Sequence, residues 1–364
     1  MKPECSSSDI ISSLPQDIIE TILCLVPIIY AVRTSILSKK WRYSWTRIPK
    51  LVFSEEDLYR GEDLLQVFCV IHQVLLMHQG SIFEFSLSMY ADNTYADIDQ
   101  IITYLSRKNT VEKLKLELNL DIDDGEERYK LPLSFFSFLH LTHLHLEHCN
   151  LDHQQPTLNG FGQQLTSLFL NNVDISEKLI LHVVSKSPLL KRFGLVINHT
   201  EYELSYIYSL AFICELFGNM PSVEHLFLDI EDLHILDASN SCLPKLPTPL
   251  VHLKYAYFVG GCDLPFPVSL LRSSPNLEKL KLQELEVDFD TDIDEMKMEL
   301  LKLILGRSPM LKVVNIGINS STIGNHDAEI LRVLSDIPRA SEMVKIVVKR
   351  SPDSPTPDDS DEEV

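Results

Sequence analysis

The stretch Leu141 to Leu151, LTHLHLEHCNL, limits what this chain can fold into more than any other. Leu141, Leu144, Leu146, Cys149 and Leu151 follow the pattern L-x-x-L-x-L-x-x-C/N-x-L at every fixed position. Leu144 and Leu146 are two residues apart, so a short strand turns both to one face. Leu141 and Leu151 come in from the flanking loops, and Cys149 fills the bend as a small buried group. Such a unit cannot cover its own apolar edge. It needs a copy stacked on each side.

Copies exist, with starts 24 to 34 residues apart. They are Ile82-Phe85-Leu87, Val111-Leu114-Leu116, Leu165-Leu168-Leu170, Leu190-Phe193-Leu195, Val223-Leu226-Leu228, Leu250-Leu253-Tyr255, Leu277-Leu280-Leu282 and Leu311-Val314-Ile316. A second signal shares their phase: SPLL at 187, MPSV at 220, SPNL at 274 and SPML at 308, where proline stops a helix and leads into extended chain. The spacing predicts a curved α/β solenoid of about nine irregular leucine-rich repeats, strands on the concave face and helices on the convex one. The length of 364 residues exceeds one ordinary core, but an array grows in one direction without that limit. Helical stripes are expected around Leu204 to Phe212, Met296 to Ile304 and Ile330 to Leu334.

Ahead of the repeats, residues 9–53 read as a separate block of three helices. Ile18, Ile19, Ile22, Leu23 and Val26 make an amphipathic helix that starts at Pro15 and ends by Pro27. A second helix is expected over Ala31–Leu37, and a third from Ser38 with Trp41 and Trp45 on one side. Residues 1–8 are a polar lead. A strand is expected at Leu51-Val52-Phe53, and with residues 54–80, which hold a buried helix from Glu62 to His78, it caps the array over 81–350. Residues 351–364 form an acidic, proline-rich tail that reads as disordered, with Ser351, Ser354 and Thr356 each before a proline.

LPQDIIETILCLVP, AVRTSILSKKWRYSW and IPKLVF together resemble the F-box of plant F-box/leucine-rich-repeat proteins, and DIPRASEMVKIVV is similar to the close of the family's FBD segment. The resemblance spans residues 9 to 350. It implies the substrate receptor of an SCF-type cullin ubiquitin ligase, with the F-box on a Skp-family adaptor and through it a cullin. The adaptor-facing residues it implies are Leu14, Pro15, Ile18, Ile22, Val32, Leu37 and Trp41. The chain departs from the family at Ile29 and Tyr30, where members carry a basic and an acidic residue. The acidic one would cap the second helix, worth about 1 kcal/mol, so a weaker start and extra exposed apolar surface are expected. An adaptor-independent interaction scaffold with a decayed F-box is the alternative.

No nucleophile elbow, phosphate loop, HExxH or kinase signature is present, so a non-catalytic subunit is expected. His140, His143, His145, His148 and Cys149 are clustered, and His143 and His145 could share an ion with Glu147. Cys149 is a repeat position, however, and no second ligand set is apparent, so no metal or cofactor is expected. The seven cysteines form no C-x-x-C pair and read as reduced thiols, which with the polar start points to cytoplasm or nucleus. The apolar run Leu64 to Met77 is broken by Gln66, His72 and Gln73, so no membrane span is expected. A net charge of -20 argues against nucleic acid.

Residues between the repeat leucines should face outward. They include Lys113, Lys115, His143, His145, Phe169, Arg192, His225, Phe227, His252, Lys254, Lys279 and Lys281. In an acidic chain this is a local inversion of charge, suited to an acidic or phosphorylated protein segment held by an apolar anchor.

Overall fold

A computed structural model describes residues 10–54, 57, 64–90, 95–119, 128–152, 160–197, 210–230, 249–259, 270, 273–282, 302, 305–306, 309–318, 339–341 and 343–350. The chain divides into two units, residues 1–165 with 173–175 and residues 166–172 with 176–364.

The first unit opens with helices α1 (Ile10–Ser13), α2 (Gln16–Leu23) and α3 (Ile28–Arg33). Pro15 and Pro27 each stand just before a helix, where a missing N–H leaves no bond unmade. Their carbonyls accept the first helical bonds, from Ile19 and Ala31. The second helix therefore begins earlier than expected and ends at Arg33, followed by a 3-10 turn over Thr34–Ile36. The expected third helix does not form. After turns, Ser44–Arg47 makes a single 3-10 turn, and the Ser44 and Thr46 hydroxyls donate to the carbonyls of Lys40 and Tyr43. Such local bonds compete with the helical ladder.

Strand β1 (Lys50–Ser54) then pairs in parallel along its whole length with β2 (Glu84–Tyr90), Leu51 opposite Phe85 and Phe53 opposite Leu87. Ile48-Leu51-Phe53 is thus a further repeat trio, and all three side chains are buried. β2 pairs with β3 (Lys113–Asn119), and β3 with β5 (His143–Glu147). Parallel neighbours need long returns. These contain α4 (Leu64–Met77), α5 (Tyr95–Lys108) and a 3-10 turn at Leu133–Ser137. The α5 helix, which buries Ile98, Ile101, Ile102 and Leu105, was not anticipated. β4 (Tyr129–Lys130) and β6 (Cys149–Asn150) form a small second sheet. Cys149 is fully buried and donates its S–H to the Glu147 carbonyl, the inert packing role its repeat position assigns.

The second unit repeats the scheme with β7 (Ser167–Asn171), β8 (Arg192–Ile197), β9 (His225–Ile230), β10 (Tyr255–Val259), β11 (Lys279–Leu282), β12 (Val313–Ile318) and β13 (Lys345–Arg350), each parallel to the next. Described returns include α6 (Glu177–Ser185) and α7 (Leu210–Gly218). The stripe expected from Leu204 overlaps α7 at its end. Most of the later stripes, the lead and the acidic tail lie outside the described residues.

One backbone device sets the register. Two consecutive N–H groups at each strand entry donate to a single carbonyl of the preceding repeat: Lys191 and Arg192 to Thr166, Glu224 and His225 to Lys191, Lys254 and Tyr255 to Glu224, Glu278 and Lys279 to Lys254. Lys254 therefore precedes its strand, and the buried trio is Leu253-Ala256-Phe258. The expected Leu250-Leu253-Tyr255 is displaced by three residues. Both trios fit the spacing, which alone does not separate them. The consequence is that His252 and Lys254 leave the outward columns, and Tyr255 and Tyr257 enter them.

Candidate interaction surfaces

The helical block leaves much apolar surface uncovered. Pro15, Ile18, Ile22 and Leu37 are exposed, and Leu14 and Val32 are half-buried. On α2, Ile19 and Leu23 face inward while Ile18 and Ile22 face out. Trp41 corrects the expectation of an adaptor-facing ring. It is 4% exposed, and its indole N–H donates to the Ile11 carbonyl at 3.2 Å, so it holds the block together from inside. Two strongly exposed residues were passed over, Leu25 at 82% and Ile36 at 88%. Ile36 was hidden by the assumption that the second helix runs to Leu37. Once it stops at Arg33, the 3-10 turn throws both Ile36 and Leu37 outward. The departure at Ile29 and Tyr30 is absorbed: Ile29 is buried within α3, and the Arg33 guanidinium lies 5.4 Å from the Tyr30 ring centroid. The helix starts at Ile28, so no cap is needed at Tyr30.

In the first unit, the outward residues of the sheet are not a free basic field. Glu84 accepts from Lys50 at 2.8 Å and faces Lys113 at 3.8 Å. Lys115 meets Glu117 at 2.6 Å, and His145 Nε2 lies 2.9 Å from Glu147. His143 bonds the Thr142 hydroxyl. Acids two residues along the strand, or directly opposite on its neighbour, answer the bases.

The second unit is different. The Phe169 ring lies over Gly194, where a Cβ would come within 2.1 Å of it, and reaches across β8 to Phe227 at a centroid distance of 5.5 Å. Phe227 meets Tyr257 edge-on at 4.6 Å, and His225 stacks on Tyr255 at 4.4 Å. Lys281 sits 4.1 Å and Lys279 5.5 Å from the centroids of Tyr257 and Tyr255. Burial, and after it the charge of Arg192, hold the His225 imidazole below its ordinary range, so near neutrality it adds a ring rather than a charge. This face is an aromatic ladder with cations along one side. Beside it, at the strand entries, Lys191, Glu224 and Lys254 alternate in sign and pair at 3.3 and 2.8 Å, as do Glu278 and Lys312 at 2.5 Å. The charge-assisted bonds from Lys254 first, and then Lys191, pull the Glu224 carboxyl down. That alternation was visible in the sequence only once the register was known.

The F-box domain model matches residues 11–53, and the model for the leucine-rich repeats of the FBD-associated F-box protein At5g56370 matches residues 98–240. The chain carries an F-box followed by leucine-rich repeats. It is 29% identical to the F-box/FBD/LRR-repeat protein At1g13570 of Arabidopsis thaliana, over 94% of this chain and 98% of that one. The FBD-associated F-box protein At5g56370 of the same plant is 28% identical, over 76% of this chain and 75% of its own length. The putative F-box/FBD/LRR-repeat protein At5g52460 reaches 34% identity over 38% of this chain and 33% of its own. The F-box match ends within β1, so the F-box of this protein contributes the edge strand of its first sheet. No described helix is long and apolar enough to cross a membrane.

Proposed function

We propose that this chain is the substrate-recognition subunit of an SCF-type cullin ubiquitin ligase, acting in the cytoplasm or nucleus. Its F-box docks a Skp-family adaptor, and its repeats capture a target protein. The observation that carries this reading is the uncovered apolar surface of the F-box, where Ile18, Ile22, Leu25, Ile36 and Leu37 all face solvent in one short block. Large apolar groups left in water this densely point to a surface meant for a partner. The chain supplies no chemistry of its own: isopeptide transfer belongs to other subunits, and the receptor contributes proximity.

The target end is the aromatic ladder of the second unit. Its rings suit an apolar side chain, and Lys279 and Lys281 beside them suit carboxylates or a phosphate. An acidic or phosphorylated segment with an apolar anchor is the target class. The test is co-expression of the full chain with a Skp-family adaptor. A stable one-to-one complex on gel filtration is expected. A chain that elutes free of the adaptor would leave the adaptor-independent scaffold as the reading.

A further inference from the structure

On the first unit's sheet, β3 and β5 set four side chains at the corners of a tile: Lys115 opposite His145, and Glu117 opposite Glu147. Two carboxylates in directly opposed positions of neighbouring strands repel each other. The register nevertheless fixes them there, and Glu147 is only 8% exposed, so water does little to screen it. Such a pair persists when a cation sits between its members. Among the described residues, Lys115 pairs with Glu117, and the imidazole of His145 points between both carboxylates.

We propose that Glu117, His145 and Glu147 form a binding site for a divalent transition-metal ion of the zinc type. One ligand atom from each of the three lies within 4.8 Å of the others. His145 Nε2 is 2.9 Å from a Glu147 oxygen and 3.7 Å from a Glu117 oxygen. An ion bound at about 2.0–2.2 Å to nitrogen and carboxylate oxygen holds adjacent donors roughly 3.0–3.4 Å apart, so small side-chain adjustments complete the set. One imidazole with two carboxylates suits zinc, cobalt or manganese better than calcium or magnesium, which prefer oxygen throughout. The ion takes the place between the carboxylates, and the half-exposed Lys115 side chain turns to solvent. The remaining coordination positions open outward from the sheet. Sequence spacing had suggested His143 with His145; the fold instead replaces His143 by Glu117 from the neighbouring strand.

The site does not depend on adaptor binding, so its test stands apart from the proposal above. The full chain is freed of metal by dialysis against a chelator, then titrated with Zn²⁺ against a chromophoric competitor. Wild type is expected to hold an ion that Glu117→Gln and His145→Gln each bind at least about tenfold more weakly. His143→Gln, in which every proposed ligand remains, should bind as wild type does. Because the variants keep all cysteines, thiol binding cancels in the comparison. Co²⁺ should give visible absorption bands in wild type that His145→Gln lacks. Should His145→Gln fail to fold, Glu117→Gln decides alone, since Glu117 is not buried. Equal affinity and stoichiometry in wild type and variants, or no Zn²⁺ held by wild type at about 10 µM, would overturn the proposal.

Discussion

The F-box block and the sheet of the second unit both present apolar groups to solvent, in opposite ways. The block shows separate aliphatic side chains on short helices and turns, Ile36 and Leu25 standing almost free. The sheet shows rings that already lean on each other: Phe169 on Phe227, Phe227 on Tyr257, His225 on Tyr255, with ammonium groups beside the tyrosines. The first surface gains most of its burial only when covered. The second is held in place beforehand, so a ligand orders less on arrival. One surface stands loose until it is covered, the other is ordered before anything arrives.

The contrast breaks first where the F-box and its sheet share a strand. Phe53 is fully buried, with its ring centroid 5.8 Å from that of Phe85. Phe53→Ala should cost about 3–5 kcal/mol through lost transfer energy and the cavity left behind. F-box and first sheet should then melt together. Calorimetry that resolves an early F-box transition, with the sheet unmoved, would show two independent bodies instead.

Next in size is the surface proposed for the adaptor. Ile36→Ala with Leu37→Ala removes two exposed anchors. Truncating an interface anchor costs about 2 kcal/mol, near thirtyfold in affinity, so the pair should weaken adaptor binding by at least that factor. The melting temperature should hardly change, because both side chains are already in water in the free chain. Unchanged adaptor affinity would remove the reason for their exposure.

Much of this was legible in the sequence, because period-two spacing fixes which residues of a strand face inward. Leu144, Leu146, Phe193, Leu195 and Leu280 are all buried as expected. What escaped was decided by packing or by neighbours in space. Ala256 entered the core in place of a leucine pattern three residues earlier, and the outward face turned from basic to aromatic with it. Trp41 went inside because its N–H found the Ile11 carbonyl, which no local spacing records. Glu117 came beside His145 only through strand pairing across a return. Leu51-Val52-Phe53 was legible as a strand at the apolar end of the array, and β1 forms there; that Ile48 joins it as a full repeat trio shows only in its pairing with β2.

The ladder can be loosened without touching its cations. Gly194→Ala adds a methyl where the Phe169 ring lies, so the ring must swing off and lose Phe227. An aromatic pair is worth about 0.5–1.5 kcal/mol beyond its area, and alanine regains part of this through a less flexible backbone. Global stability should thus move by less than about 1 kcal/mol. Recovery of target from lysate should nevertheless fall, and Lys279→Glu with Lys281→Glu should lower it by about tenfold in a salt-dependent way. If Gly194→Ala captures its partners as wild type does, preorganised rings are not what the target reads.

The smallest effect concerns the joint between F-box and sheet. His78, at the end of α4, is buried, and its Nε2–H donates to the Ile48 carbonyl at 2.7 Å, just ahead of β1. Burial first, and then the charge of Lys108, keep its imidazole below the ordinary range, although the bond to Ile48 opposes them. In the unfolded chain the same group titrates near the usual value of about 6.5. Below that pH the unfolded state takes up a proton that the folded state refuses. The stability His78 contributes is therefore complete above about pH 7 and falls as pH drops through 6.5, levelling only below the folded value. His148 and His225, also depressed by burial, add to the wild-type slope, so the difference between variants carries the share of His78. His78→Gln keeps a donor for Ile48 but cannot titrate. Between pH 7.5 and 5.5 its melting temperature should fall less than that of wild type, by an amount worth up to about 1.4 kcal/mol for each unit of depressed pKa. Parallel melting curves across that range would mean that acid reaches the joint by another route, and that His78 is only packing.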